Sequence, residues 1–304
     1  MAIQKILVTG SSGTIGTRLC EKLFERGFAV IGIDKRPNQW NRAVNKLTII
    51  GDLCDARTLD KMPPDVDLAI HLAANARVFN LVVDPSLANE NFAMLFNVME
   101  WCRKNKTNRI IFASSREVYG NTGRMLHAED DVAIKNCESP YTASKMSGEA
   151  LIHAYAKCYG IDFIINRFSN VYGMYDDSDR VVPLFIKLTK ENKDTMVYGE
   201  DKILDFTYID DAVAGIIKEI ENFDSVKNNT LNIATGSGVK IIDVAKMIIA
   251  ELNGKNKIII QNNRTGEVVK YVADISLAKK VLGFKPEVGI EEGLKRSVLW
   301  YGSR

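Results

Sequence analysis

Residues 6–16 read Ile-Leu-Val-Thr-Gly-Ser-Ser-Gly-Thr-Ile-Gly, a short apolar run that gives way to glycines at Gly10, Gly13 and Gly16. Strand, glycine turn and helix, in that order, are the setting of a dinucleotide fingerprint. Gly10 makes the tight turn, Gly13 lets the backbone approach a pyrophosphate, and Gly16 lets the next helix pack on the strand. That helix is expected from Thr14 to Arg26. Opening with Thr14 and Ile15, it presents to the phosphates an N-terminus whose N–H groups and dipole favour an anion. The glycines are spaced three and three, a variant of the usual pattern. A second strand, Ala29 to Ile33, ends in Asp34, where a carboxylate accepts the ribose hydroxyls of NAD. Its charge repels the 2′-phosphate of NADP, so the expected cofactor is NAD. Lys35 and Arg36 follow at once and could accept such a phosphate instead.

The rhythm of the first 34 residues continues. Apolar strands are expected at Leu47 to Ile50, Leu68 to His71, Ile110 to Ala113 and Phe163 to Asn166, with long helices at Pro85 to Lys106 and Pro140 to Tyr159. Short buried strands separated by helices imply an α/β protein with a doubly wound parallel sheet, the Rossmann arrangement. Beyond Tyr172 the pattern loosens. Residues 1–172 are therefore expected to form an NAD-binding domain, and residues 173–304 mainly a smaller substrate-binding domain. The polar runs Lys227 to Asn229 and Asn253 to Lys257 read as loops.

Composition narrows the class. A net charge of +2 over 304 residues offers no footing for nucleic acid or an acidic membrane surface. No apolar run approaches the roughly 20 residues that cross a bilayer. The N-terminus enters a strand directly, and the expectation is a cytoplasmic protein. Five scattered cysteines without Cys-x-x-Cys spacing read as reduced, and three histidines without ligand spacing point to no metal site.

Residues 139–149 read Ser-Pro-Tyr-Thr-Ala-Ser-Lys-Met-Ser-Gly-Glu. Ser139 is a good N-cap and Pro140 suits the first helical position, so Tyr141 and Lys145 share a helix face one turn apart. A nearby ammonium favours phenolate, which is expected to lower the Tyr141 pKa from about 10 toward working pH and make it a general base.

With these features in place, the chain resembles an extended short-chain dehydrogenase/reductase of the NAD-dependent epimerase/dehydratase family, which acts on nucleotide sugars. The resemblance spans nearly the whole chain. It runs through the glycine stretch from Thr9, Gly-Asp-Leu from Gly51, His-Leu-Ala-Ala from His71, Ser-Ser-Arg-Glu-Val-Tyr-Gly from Ser114 and the Tyr141–Lys145 pair. It continues with Arg-Phe-Ser-Asn-Val-Tyr-Gly from Arg167, Asp-Phe-Thr-Tyr-Ile-Asp-Asp from Asp205, and Arg-Thr-Gly-Glu from Arg264. The resemblance implies that the region around Asp205 to Ala234 returns to the cofactor domain. It implies that Asp52 accepts the adenine amino group with Leu53 packed on the ring, and that Leu72, Ala73, Ala74, Asn91 and Ser114 lie near the cofactor. Where the family has Gly-Thr soon after that Asn, this chain has Met94 and Leu95.

In the sugar site the resemblance implies that Ser115 hydrogen-bonds the hydroxyl being oxidised and that Tyr141 takes its proton. Lys145 contacts the nicotinamide ribose, and a 4-keto sugar results. Glu117 stands where 4,6-dehydratases hold the glutamate that takes the C5 proton, and decarboxylases resemble them there. Arg116 stands where those dehydratases carry an aspartic acid, and a guanidinium, charged at ordinary pH, cannot replace a proton donor. The expected activity is therefore a nucleotide-sugar 4-epimerase of the UDP-glucose/galactose type. The alternatives are a 4,6-dehydratase or UDP-glucuronate decarboxylase using Glu117 and, more remotely, a non-catalytic NAD-binding protein. Asn170 and Arg264 match the family's diphosphate contacts. An expected Arg is Leu204, with Lys202 as a substitute point charge. The implied active form is a homodimer built on the two long helices.

Overall fold

The computed structural model describes residues 3–303. Its large sheet is built from β1 (Lys5–Thr9), β2 (Ala29–Asp34), β3 (Thr48–Ile50), β4 (Leu68–His71), β5 (Arg109–Ser115), β7 (Asp162–Phe168) and β11 (Asn229–Ile233). The strands lie in the order β3-β2-β1-β4-β5-β7-β11, every neighbour parallel. Sequence order reverses at β1, which pairs with β2 on one side and β4 on the other. A crevice outside the carboxyl ends of the strands opens at such a switch point.

Successive side chains of a strand point to opposite faces, so a sheet covered on both sides needs strands apolar at every position. Ile6 and Val8 join the core beneath α1 (Thr14–Glu25) and α7 (Ile209–Glu221). Leu7 joins the core beneath α4 (Ser86–Asn105) and α5 (Pro140–Tyr159). Gly10 turns the chain between β1 and α1 at a φ of +72°, the left-handed region that favours glycine. A Cβ on Gly16 would overlap the Gly10 carbonyl oxygen, so this glycine sets how closely α1 approaches the loop.

A second sheet flanks the first. It contains β12 (Gly238–Lys240), β10 (Ile203–Tyr208), β14 (Lys270–Ala273) and β6 (Leu126–His127) in that order, with β8 (Asn170–Tyr172) also paired to β10. β9 (Thr195–Tyr198) and β13 (Ile258–Gln261) form a separate parallel pair. Helices α6 (Val181–Lys190), α9 (Ile241–Glu251) and α11 (Ile290–Gly302) pack against one another. The short helices α2 (Arg42–Leu47), α3 (Val78–Val83), α8 (Phe223–Val226) and α10 (Ser276–Leu282) complete the chain. Among the described residues no helix is long and apolar enough to cross a membrane.

Several boundaries differ from the sequence reading. β5 and β7 extend through Ser115 and Phe168 because they pair with each other to that depth, which carries Ser115 to the cleft. Leu47 ends α2 rather than opening β3. Asn229 belongs to β11, registered against Ile164, rather than to a loop. Gly16→Ala is expected to lower stability by about 1–3 kcal/mol, the usual range for forcing atoms into a filled space; urea unfolding measures it, and a variant as stable as the parent would show that the loop and α1 separate freely.

Candidate active site

A cleft of about 700 Å³ lies over the carboxyl ends of β1, β4 and β5, walled on its far side by β8, β10 and the segment around Arg264. Gly10, Gly13, Thr14, Ile15 and Gly16 line one end. Helix α1 starts after Gly13 with no side-chain cap, so its first N–H groups are free of side-chain competition for an anion. Asp34 Oδ2 accepts the Ser12 N–H at 3.0 Å and Oδ1 accepts the Arg36 N–H at 2.9 Å. This carboxylate thus braces the glycine loop as well as closing β2. Leu72 and Ala74 line the cleft, and the intervening Ala73 N–H donates to Thr9 Oγ1 at 3.3 Å.

Lys35 and Asp52 form an ion pair at 3.1 Å. Burial pushes the Asp52 carboxyl up, but the Cys54 N–H and Lys35 outweigh it and hold it below its ordinary value. The hydrogen bond to Asp52 raises Lys35. Leu53 is buried in the core that holds Leu7 and Ile33. Asn91, expected near the cofactor, is committed elsewhere: its amide accepts the Asn75 N–H at 2.7 Å and donates to the Asn75 carbonyl and Ser144 Oγ, both at 3.1 Å. It holds up the cleft wall and is not among the lining residues.

Ser115, Tyr141 and Lys145 meet where β5 ends against the first turns of α5, all three lining the cleft. Ser139 Oγ caps α5 by accepting the Thr142 N–H at 3.1 Å, with Pro140 in the first turn, which fixes Tyr141 at the helix start. Lys145 Nζ donates to the Ala113 carbonyl at 2.7 Å and lies 5.8 Å from the Tyr141 ring centroid. The expected electrostatics differ here. Tyr141 is enclosed, and burial raises its pKa; a hydrogen bond to Ser115 opposes that, Glu117 adds to it, and Arg180 and Arg116 oppose it more weakly. Burial also brings Lys145 down to about 8, with Glu149 opposing. Desolvation is the largest influence on both groups. His71, bonded through Nδ1 to Thr9 Oγ1 at 2.9 Å, is brought by burial to about 3 and stays neutral beside Lys145.

Ser114, one residue earlier, donates to Glu149 Oε1 at 2.5 Å. In the other half of the cleft Arg116 Nη2 meets Glu117 Oε1 at 2.8 Å, and both side chains are buried. Arg116 also donates to Asn170 Oδ1 at 3.3 Å, while Asn170 Nδ2 donates to the Asp205 carbonyl at 3.0 Å. Lys202 pairs with Glu267 at 2.5 Å, and its charge is therefore already matched. Leu204 is buried on β10. The Arg264 guanidinium lies 3.9 Å from the Tyr198 ring centroid and 5.1 Å from that of Phe79, stacked at the cleft wall.

Two lining cations escaped the sequence reading, Arg77 and Arg180. Arg77 pairs with Asp179 at 2.7 Å, bridging α3 to the loop after β8. Its signal was faint: a single Arg six residues past a strand end looks like any surface charge.

The family model described as the NAD-dependent epimerase/dehydratase family matches residues 6–234. A relative named putative UDP-glucose 4-epimerase from Methanocaldococcus jannaschii is 33% identical over 304 residues, covering 97% of this chain and 97% of its own. The solved UDP-glucose 4-epimerase of Thermotoga maritima, bound to UDP-glucose, superposes with a TM-score of 0.90 at 27% identity, covering 99% of each chain. A UDP-glucuronic acid 4-epimerase mutant from Bacillus cereus, solved with NAD and a fluorinated UDP-glucuronic acid, gives a TM-score of 0.89 at 28% identity, covering 100% of this chain and 99% of that one.

Asp34 leads to a prediction on dinucleotide choice. NAD is expected to bind more tightly than NADP, and Asp34→Ala to narrow the ratio of their dissociation constants by about tenfold, a change of about 1.4 kcal/mol. Fluorescence titration of both dinucleotides checks it; a parent that prefers NADP would mean that Lys35 and Arg36 govern the strand end.

Proposed function

The chain belongs to the NAD-dependent epimerase/dehydratase family, and on that premise we propose that it is a nucleotide-sugar 4-epimerase in which Tyr141 is the base. The observation that carries this reading is the meeting of Ser115, Tyr141 and Lys145 in one cleft with the glycine loop of β1 and α1. The residues fit NAD: the Gly10 turn, the tight Gly10–Gly16 approach and the uncapped helix start leave a backbone cradle for a pyrophosphate. Asp34, Asp52, Leu53, Leu72, Ala73 and Ala74 would hold the adenosine and adjoining parts. When bound there, NAD would supply reversible hydride acceptance for oxidation and reduction at the sugar carbon.

The chain's own residues manage the proton. Tyr141 takes the proton of the C4 hydroxyl, which Ser115 holds in line, and returns it after the ring has turned. A cationic Lys145 favours the phenolate form of Tyr141 during that transfer. Elimination chemistry is poorly suited to this site: the Glu117 carboxylate is engaged by Arg116, whose guanidinium cannot protonate a departing hydroxyl. Arg264 and Asn170 would meet the diphosphate, since a guanidinium fork donates two hydrogen bonds to phosphate. The substrate is a UDP-sugar of the glucose/galactose type; the Methanocaldococcus and Thermotoga relatives are named as UDP-glucose 4-epimerases. The cytoplasm is the setting that keeps the cysteines, all free in the structure, reduced.

The proposed active form is a homodimer. α4 exposes Phe92 and Phe96 at 36% and 42%, and α5, packed beside it, exposes Tyr159. Pairing these helices with a second copy would bury the excess apolar surface and stiffen the helix that carries Tyr141 and Lys145.

Incubation with a panel of UDP-sugars tests the reaction: an epimer keeps its mass, a dehydratase product loses water and a decarboxylase product loses carbon dioxide. Tyr141→Phe is expected to cut turnover by roughly 10²–10⁴, the range for a general acid–base group, with NAD still bound; activity within threefold of the parent would remove Tyr141 from the role. Phe96→Asp is expected to give monomers of reduced activity in sedimentation, and a parent that is a fully active monomer at micromolar concentration would end the dimer proposal.

A further inference from the structure

Helix α5 carries a third polar residue on the stripe begun by Tyr141 and Lys145. Glu149 follows Lys145 by one turn, and the three are buried to within 6%, 5% and 7% of full enclosure. Spacing of i, i+4 and i+8 places them on one helix face, here the face turned toward β5 and β7. A buried carboxylate needs partners. Glu149 has three: Ser114 Oγ at 2.5 Å on Oε1, Arg167 Nε at 3.0 Å on Oε1, and Arg167 Nη2 at 2.7 Å on Oε2. Ser114 and Arg167 are cross-strand neighbours in the β5–β7 register, so the sheet presents both donors to the same carboxylate.

Arg167 is itself fixed. Its Nη1 donates to Tyr119 Oη at 3.2 Å and to the Glu129 carbonyl at 2.5 Å, and Tyr119 Oη donates to Asn232 Oδ1 at 2.7 Å on β11. The clamp thus spans three strands and the turn after β5. A local fold needs only some of these contacts; placing a carboxylate with this fixity one turn behind Lys145 has an electrostatic consequence as well.

The charges facing Lys145 can be named element by element. Tyr141 and Glu149 share its helix. His71 on β4 is neutral. β5 offers the Ala113 carbonyl, and β7 offers Arg167 beyond Glu149. Two cations therefore lie along one buried carboxylate, and among the charged side chains named Glu149 is the one that opposes the loss of the Lys145 proton that burial favours.

Resting on the base reading of Tyr141 above, we propose that Glu149 and Arg167 are positioning residues for the reaction, the Arg167 fork holding the Glu149 carboxylate where it keeps Lys145 cationic beside Tyr141. Neither touches the reacting atoms. The consequence is a pH limit: activity that needs cationic Lys145 falls as pH rises through the Lys145 midpoint, near 8 in the parent. Removing the Glu149 charge leaves Lys145 facing Arg167 without compensation, which moves that midpoint down.

The test reads Lys145 directly and needs no turnover. Protein labelled with ¹³C at lysine Cε is titrated by NMR, the Lys145 resonance being identified by its loss in Lys145→Met. Glu149→Gln is expected to lower the midpoint by about 1–2 units, within the range for an opposite charge close by, and Glu149→Asp, which draws the carboxylate back by one methylene, to fall between Gln and the parent. The alkaline limb of kcat/KM should move down in the same order. An unchanged Lys145 midpoint in a folded Glu149→Gln protein would overturn the proposal. Should Glu149→Gln lose its melting transition, Glu149→Asp carries the test, and a midpoint equal to the parent's would overturn it. A midpoint that moves while no UDP-sugar is turned over would instead reject the epimerase reading and leave the electrostatic link standing.

Discussion

Lys145 carries its ammonium into a seam between α5 and the sheet at the edge of the cleft, where it is almost wholly enclosed, and much of the cleft is shaped by what that burial requires. A lysine buried without compensation can fall to a pKa of about 5–6. Here it is held at about 8. Glu149 opposes the fall, and the ammonium also finds a carbonyl freed by strand length. β4 ends at His71, opposite Phe112, so the pairing of β4 with β5 stops one residue short of Ala113. The Ala113 carbonyl is thereby left to accept from Lys145 Nζ. The Phe112 ring, its centroid 5.1 Å away, adds a polarisable face.

The second sheet is tied to the first by a different buried group. Asp205 on β10 is fully buried, and its carboxylate accepts from the Thr235 N–H, the Thr235 hydroxyl, the Gly236 N–H and the Ala273 N–H. Burial raises its pKa against those four donors. Thr235 and Gly236 follow β11, the edge strand of the large sheet, whereas Ala273 closes β14 of the small one. One carboxylate thus sets the distance between the two walls of the cleft. Through its carbonyl it also orients Asn170, which receives Arg116 from β5's end.

What the sequence made legible was local. The glycine turn, the strand ending in Asp34 and the capped helix at Ser139 are written in neighbouring residues, because a left-handed turn, a strand end and an N-cap each demand a particular residue type. What it concealed was set by partners distant in the chain. Asn91 matched by position, but its amide is drawn to Asn75 and Ser144. Lys202 read as a free charge for phosphate, yet Glu267, 65 residues on, neutralises it. The phenol of Tyr141 was expected to acidify beside Lys145; enclosure of both groups, visible only in three dimensions, reverses the direction. The segment from Asp205 to Ala234 splits, β10 joining the small sheet and β11 the large one, because pairing edges are not encoded in the apolar pattern of either strand.

The Arg116–Glu117 pair bears most directly on which outcome a 4-keto sugar would meet in this cleft. After oxidation at C4 the neighbouring C5 proton becomes acidic, so any free carboxylate close to it invites elimination. Glu117 is not free: Arg116 holds Oε1, and the Val268 N–H approaches Oε2 at 3.4 Å. Its partner offers no acid, because a guanidinium keeps its proton at any working pH. Elimination needs both a base and a proton donor, whereas inversion needs only that the ketone turn and receive its hydride and proton back. On the proposed reading, Arg116 engages the carboxylate and supplies no proton donor for the first route, whereas the second asks nothing of the pair, which favours epimerisation.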